Sequence, residues 1–298
     1  MRAHQSGEEA SHGRYRLGRV LGQGAMGIVF MALDTIQGQH VAYKTLLPQA
    51  KAKHRRALMV EAELLRHLHH PGILPLLDMG EQANGKPFYT MPLVQGRSLE
   101  HYLNKGLLTL RDAIRVLRSV CDALQHAHNR EIIHCDLKAG NILITPRGQS
   151  FLIDWGTSAS FHAPRLENGK RRPVYGTPLY IAPEVLRGDP PTPAADMYAM
   201  GVILYRCLTG SYPFYDEEVM ELFKKVCKNP VEPPSQRAPE RTIPAELEEI
   251  CMRLLSPSPH QRYSSFYGIY NELDSWLEPI QPHHTPRPNW LAHPEPAA

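Results

Sequence analysis

The chain has no pair of cysteines at C-x-x-C spacing; its five, Cys121, Cys135, Cys207, Cys227 and Cys251, are scattered and odd in number. They support neither a zinc site nor a disulfide framework, and they suit a reducing cytoplasm. Charge of one sign is also lacking. The 33 basic and 30 acidic residues leave a formal net charge of +3, so neither nucleic acid nor an anionic membrane is expected as the main partner. No apolar run is long enough for a membrane span: the longest, around Met197 to Leu208, is short and contains Arg206. The first fourteen residues are polar and lack the apolar core of a signal peptide. A cytoplasmic location is the expectation. At 298 residues there is room for one large domain or two lobes, each with its own core.

What is present is a set of charged and amide residues in a telling order. His134-Cys135-Asp136-Leu137-Lys138-Ala139-Gly140-Asn141 puts a base, a cation and a metal ligand on one short loop. Asp154-Trp155-Gly156 follows, its aspartate eighteen residues after Asp136. Phosphoryl transfer needs these parts: an acceptor for a hydroxyl proton, hard oxygen ligands for Mg²⁺, and positive charge on the moving phosphate. Upstream, Leu21-Gly22-Gln23-Gly24-Ala25-Met26-Gly27-Ile28-Val29 carries G-x-G-x-x-G. That spacing alone is shared with dinucleotide-binding turns. Here Tyr15 to Leu21 and Ile28 to Leu33 both read as strands, so the glycines form a flap whose backbone N–H groups can approach phosphates. Val41-Ala42-Tyr43-Lys44 is a strand ending in a lysine with the reach to hold the α- and β-phosphates, if a partner fixes its head group. The amphipathic segment Lys51 to Leu68 supplies Glu61 as that partner, preferred on motif spacing over Glu63.

In this order the motifs resemble those of a eukaryotic-type (Hanks-type) Ser/Thr protein kinase, most similar to the bacterial branch of that family. The resemblance rests on G-x-G-x-x-G-x-V at Gly22 to Val29, V-A-x-K at Val41 to Lys44, Glu61, and H-x-D-L-K-x-x-N at His134 to Asn141. It continues through D-x-G at Asp154 to Gly156, Gly176-Thr177-Pro178-x-Tyr180-x-Ala182-Pro183-Glu184, and Arg262. It covers residues 14–277 and implies an α+β, bilobal protein-kinase fold, with a β-rich N-lobe at 14–93, a hinge at Val94-Gln95-Gly96 and a helical C-lobe at 97–277. It also implies ATP and Mg²⁺ as cofactors and protein substrates with Ser/Thr acceptors as partners. Lys138 and Gly176-Thr177-Pro178 favour Ser and Thr over tyrosine.

The resemblance assigns roles. Asp136 would orient the substrate hydroxyl and take its proton late, and Lys138 would neutralise the γ-phosphate in flight. Asn141 and Asp154 would hold Mg²⁺. ATP would be bound by Leu21, Gly22, Gln23, Gly24, Ala25, Met26, Gly27, Val29, Ala42, Lys44, Glu61, Pro92, Val94 and Leu143. Adenine would sit between Val29 and Ala42 above and Leu143 below, with Met91 as gatekeeper and the Pro92 carbonyl and Val94 N–H at its edge. Asp196 matches a helix aspartate that hydrogen-bonds the catalytic-loop backbone, and Glu184 and Arg262 would form a buried ion pair. Leu65, Leu76, His134 and Trp155 would stack as an apolar column, which makes His134 a packed core residue rather than an acid or base.

Two departures stand out. Trp155 replaces the usual phenylalanine and brings an indole N–H that needs a partner when buried. Cys135 replaces an arginine that, in relatives, pairs with an activation-loop phosphate, so activity without phosphorylation of that loop is expected. Gly140 and Arg97 stand where basic-directed kinases place carboxylates, so no strong demand for arginine three residues before the acceptor is expected. Residues 1–13 lack periodicity and are expected to be disordered. Thr109 reads as the N-cap of a core helix, and residues 141–154 read as a hairpin around Pro146-Arg147-Gly148. The proline-rich tail, 278–298, reads as solvated, with a Pro-rich ligand for a partner domain as the alternative. Competing functions are a pseudokinase-like ATP-binding scaffold and a small-molecule phosphotransferase. The intact Lys44, Asp136, Lys138, Asn141 and Asp154 oppose the first, and the Gly176 to Glu184 platform opposes the second.

Overall fold

Two compact units divide the chain after Gln95. The structure, a computed structural model, describes residues 11–24, 27–160 and 176–278. The first unit is β-rich and the second mainly helical, an α+β architecture. Ala25 and Met26 of the glycine flap and the tail from 279 lie outside the described residues.

In the first unit, β1 (Ser11–His12), β2 (Tyr15–Gln23), β3 (Gly27–Asp34) and β4 (Gln39–Leu46) precede helix α1 (Ala52–His67). Then β5 (Asp78–Glu81) and β6 (Pro87–Pro92) complete an antiparallel sheet ordered β1-β2-β3-β4-β6-β5. The sheet begins inside the segment expected to be disordered. A two-residue turn with Gly13 at φ 62° lets Ser11 and His12 pair with Arg16 and Tyr15. The expectation for 1–13 is corrected to that extent, and the rest of it falls on residues outside those described.

Strand register sorts the side chains. Val29 pairs with Lys44, and Ala42 with both Met31 and Met91, so these residues share one face of the sheet. The opposite face carries Tyr43 and Phe88, stacked at 4.7 Å, with Tyr15 edge-on to Phe88 at 5.6 Å. Tyr15, Ala32, Val41 and Tyr43 are the buried centre of this aromatic core. At its margin Arg14 donates to Asp34 Oδ1 at 2.8 Å and to Asp78 at 3.0 Å, while the Tyr15 hydroxyl donates to Asp78 at 2.7 Å. Close packing also fixes Gly27, because a Cβ there would stand 2.7 Å from the Thr45 carbonyl oxygen.

The second unit opens with β7 (Arg97–Ser98), α2 (Leu99–Lys105) and α3 (Leu110–His128). Thr109 caps α3 as expected, its Oγ1 accepting from the Asp112 N–H at 3.1 Å. Ala113, Leu117, Val120, Cys121 and Leu124 form its buried stripe. Next come β8 (Ile132–Ile133), the hairpin of β9 (Ile142–Ile144) and β10 (Ser150–Leu152), and β11 (Ala159–Ser160), which pairs with β8. The remainder is helical: α4 (Pro183–Arg187), α5 (Pro193–Thr209), α6 (Val219–Lys228), α7 (Pro234–Arg237), α8 (Ala245–Leu254) and α9 (Phe266–Leu277). Helix α5 is buried almost all round and is the axis of the unit. It meets α8 at Gly201, where a Cβ would stand 2.8 Å from the Leu254 Cβ. No helix among the described residues is long and apolar enough to cross a membrane.

The Arg14 hydrogen bonds hold the Asp34 carboxyl well below the usual carboxylate range, at about 2. A depressed folded-state value means stability that is present above the ordinary aspartate pKa and lost as pH falls toward 2. Urea unfolding followed between pH 5 and pH 2 is expected to show a steeper loss for the wild type than for Asp34→Asn, which has no such proton to take up.

Candidate active site

The site grows from one buried carboxylate on the first turn of α5. Asp196, 1 % exposed, accepts from the His134 N–H at 2.9 Å, the Cys135 N–H at 3.0 Å and His128 Nε2 at 2.8 Å. Burial alone would raise its pKa, but the His128 contact and the backbone donors more than offset this, and the carboxyl sits below its ordinary value. Holding two successive N–H groups on one carboxylate puts Cys135 at φ 64°, a left-handed conformation rare for residues other than glycine. The chain turns sharply there, and the next side chain is Asp136.

Asp136 is 9 % exposed and nearly saturated with donors. Its Oδ1 accepts from the Thr177 N–H at 2.9 Å and the Thr177 hydroxyl at 2.8 Å; Oδ2 accepts from Lys138 Nζ at 2.6 Å. Lys138 also reaches Thr177 Oγ1 at 2.9 Å, closing a triangle of carboxylate, ammonium and hydroxyl. Asn141 donates its amide to the Asp136 carbonyl at 2.9 Å, which leaves its own oxygen as an acceptor. The Ile153 N–H donates to the Asn141 carbonyl at 2.9 Å, so the β9–β10 hairpin brings Asn141 and Asp154 to the same end. Asp154 is exposed and, like Cys135, left-handed, at φ 66°. An amide oxygen and a carboxylate at one hairpin end are hard ligands of the kind Mg²⁺ takes alongside substrate phosphates. Among the described residues there is no cluster of three or more His, Cys, Asp or Glu that could cage a metal without substrate.

His134 is fully buried and hydrogen-bonded on both ring nitrogens. Nδ1 accepts from the Asp136 N–H at 3.3 Å, which assigns the proton to Nε2, donating to the Ile153 carbonyl at 3.1 Å. Its ring lies 4.7 Å from that of Trp155, the second unit's half of the expected column. Trp155 is 1 % exposed, and its indole N–H finds no acceptor among the described residues. Beside Asp136 a cavity of about 230 Å³ is walled by Cys135, Leu137, Ser158, Thr177, Tyr180 and Val185, among others. The platform from Gly176 to Glu184 is anchored at its end by Arg262, which is wholly buried. Its guanidinium meets Glu184 at 2.7 and 2.9 Å and also donates to the Ala194 and Ser256 carbonyls.

In the first unit, Lys44 Nζ lies 2.7 and 2.9 Å from the two Glu61 oxygens. Glu61 shares the buried face of α1 with Leu58, Ala62 and Leu65, whereas Glu63 points to solvent and pairs with Arg66 at 3.1 Å. Helical geometry thus separates the two candidates. Gly22 pairs with Val29, and the Gly24 N–H meets the Gly27 carbonyl at 2.9 Å, so β2 and β3 stay paired on both sides of Ala25 and Met26. Leu21 and Gln23 lie on β2, Pro92 ends β6, and Val94 follows it; Leu143 lies on β9 in the second unit. Two contributors were not assigned from sequence. In the sequence Thr177 is only a mark of substrate preference, and His128 carries no signal beyond its place at the end of an amphipathic helix.

With this geometry in view, comparison with known proteins is direct. The family described as "Protein kinase domain" matches residues 15–273. Serine/threonine-protein kinase PknA of Mycobacterium tuberculosis is 36 % identical over 291 residues, covering 94 % of this chain and 66 % of PknA. PknD of the same organism is 36 % identical over 256 residues, covering 85 % of this chain and 38 % of PknD. PknD of Chlamydia caviae is 29 % identical over 316 residues, covering 94 % and 34 % respectively. The chain therefore spans at most about two thirds of the length of these relatives.

Asp196→Ala is expected to leave three buried donors without their acceptor and to cost roughly 3–5 kcal/mol in urea unfolding. Asp196→Asn, which keeps one oxygen, should cost less.

Proposed function

The chain belongs to the protein kinase family, most similar to its bacterial serine/threonine branch, and from that premise we propose that it transfers the γ-phosphate of ATP to Ser and Thr hydroxyls of protein substrates. The observation that carries this reading is the Asp136–Lys138–Thr177 triangle with Asn141 attached. A carboxylate held at 9 % exposure by a cation and a hydroxyl is fixed in orientation. That suits a loose transition state, in which the proton leaves the acceptor late. Asp136 would orient the acceptor hydroxyl and receive its proton, and Lys138 would meet the γ-phosphate. Asn141 and Asp154 would hold Mg²⁺, which when bound supplies charge neutralisation to the phosphate oxygens. Lys44, fixed by Glu61, would hold the α- and β-phosphates. Leu21, Gly22, Gln23, Gly24, Ala25, Met26, Gly27, Val29, Ala42, Pro92, Val94 and Leu143 would complete the nucleotide site. A cytoplasmic setting agrees with five cysteines that form no disulfide.

The same reading extends to regulation. Cys135 stands where relatives in the resemblance carry a phosphate-binding arginine. Thr157 donates its hydroxyl to the His134 carbonyl at 3.4 Å, and the Ser158 hydroxyl is buried, so neither is presented as an acceptor. Activity is therefore proposed not to require phosphorylation of the segment after Asp154.

Substitutions at Asp136 and Thr177 test the transfer reading. Asp136→Asn should lower phosphate transfer to a generic protein substrate by about 10²–10⁴-fold. Thr177→Ala should lower kcat by about tenfold or more while Thr177→Ser retains most of it; wild-type transfer by Asp136→Asn would end the reading. Separately, a dephosphorylated Thr157→Ala, Ser158→Ala, Ser160→Ala triple variant should keep activity within a few-fold of wild type. A hundredfold fall, with wild-type activity restored by pre-incubation with ATP, would show that another residue does the missing arginine's work.

A further inference from the structure

An arginine inside the most buried helix of the second unit has no part in the chemistry above. Arg206 lies on α5 at 6 % exposure. It donates to the Glu100 carboxylate at 2.9 Å, the Asn104 side-chain oxygen at 3.0 Å and the Tyr180 hydroxyl at 3.1 Å. Its guanidinium also stacks 4.3 Å from the Tyr212 ring centroid, and Tyr212 meets Tyr180 edge-on at 5.8 Å. Three separate stretches of chain thus converge: α2 through Glu100 and Asn104, α5 through Arg206, and the platform through Tyr180.

Tyr180 is three residues from Thr177, which touches the catalytic carboxylate, so their Cα atoms are within about 11 Å of each other. In the protein-kinase reading a substrate peptide with its acceptor at Asp136 would lie along this platform, and Arg206 touches the platform at the Tyr180 hydroxyl. The pair is lopsided: the arginine is buried, whereas the Glu100 side chain keeps 32 % of its surface exposed. Alone, that carboxylate would be an attractive spot for a basic residue on a substrate. Paired, it is neutral. Resting on the protein-kinase reading above, we propose that Arg206 is a specificity-determining residue that cancels Glu100 beside the peptide platform, so that this kinase does not select basic residues there. Substrate choice at this point then falls on neutral side chains, with Tyr180 held in place by the same guanidinium. The Arg206–Glu100 pair is then a structural cause for the absence of a demand for arginine upstream of the acceptor.

The test is a charge cycle on a peptide library varied between acidic, neutral and basic residues around one serine, read as kcat/KM for each class. Removing Glu100 by Glu100→Gln exposes net positive charge, and the acidic-to-basic preference should rise about three- to tenfold over wild type. Arg206→Gln should shift the preference by a similar factor toward basic peptides, and the double variant should return to the wild-type ratio. Charge complementarity at a partly exposed site acts on this scale. A purely structural role would lower every peptide class alike and leave the ratios unmoved; ratios that stay put, or single variants that shift in the same direction, overturn the inference. If Arg206→Gln does not fold, Glu100→Gln decides alone, since its side chain is partly exposed, and no shift toward acidic peptides is then the refuting result. A wild-type chain that phosphorylates nothing in the library overturns the kinase reading and this inference with it. Unchanged ratios in a wild type that does transfer overturn this inference only.

Discussion

Everything arranged around Asp136 depends on Asp196. A carboxylate buried at the start of α5 cannot remain charged without donors, and besides His128 at the end of α3 the nearest two belong to the segment that must turn. The His134 and Cys135 N–H groups leave the run of backbone pairing that β8 began and point instead into the helix unit. The cost is a left-handed Cys135, worth on the order of 1–3 kcal/mol; charged hydrogen bonds from two amides and an imidazole outweigh it. Because α5 is buried nearly all round, the carboxylate has no freedom to follow the loop. The loop follows it.

The same device recurs with different signs. Lys44–Glu61, Arg262–Glu184 and Arg206–Glu100 each place a charge inside one unit and answer it at 2.7–2.9 Å. None of these pairs is a strong source of net stability, since desolvation consumes much of the Coulomb gain. Their value is geometric. Two-pronged contact between Arg262 and Glu184 fixes orientation as well as distance, and Arg262 ties the end of the platform to the first turn of α5 through the Ala194 carbonyl. An apolar substitute of equal volume would fill the space without setting the angle.

How far the sequence disclosed this differs by residue. Strands and helices were legible in different ways: β3 and β4 are short runs of apolar and β-branched residues, and α3 repeats its apolar residues with a threonine cap ahead of them. Glu61 could be preferred to Glu63 from spacing, and the physical reason lies in the buried face of α1. Long-range geometry was less legible. Thr177 sits 41 positions from Asp136, and nothing local to a Gly-Thr-Pro turn says that its hydroxyl and N–H both close on a carboxylate. His128 looked like any polar end of an amphipathic helix. Arg206 registered only as a charge interrupting an apolar run, because its partners come from α2 and the platform. The strand at Ser11–His12 was hidden by a polar, aperiodic segment in which only Gly13 marks the turn.

Trp155 sets the last constraint. Its ring packs on His134, whose two nitrogens are already committed to Asp136 and Ile153, so the imidazole can neither tilt nor change tautomer without breaking the loop on both sides. The indole N–H has no acceptor among the described residues, a cost of about 1–3 kcal/mol for a buried donor. A phenylalanine would carry no such cost, and the packing of the larger ring against His134 is what sets against it. Asp154, left-handed and adjacent to that ring, is thereby held from the hairpin on one side and the buried tryptophan on the other. Order at Asp136 and Asp154 comes from the helical frame, from Thr177 and from this stack. That is why a cysteine can occupy position 135: the backbone conformation there is imposed by Asp196, and the side chain is not needed to hold it.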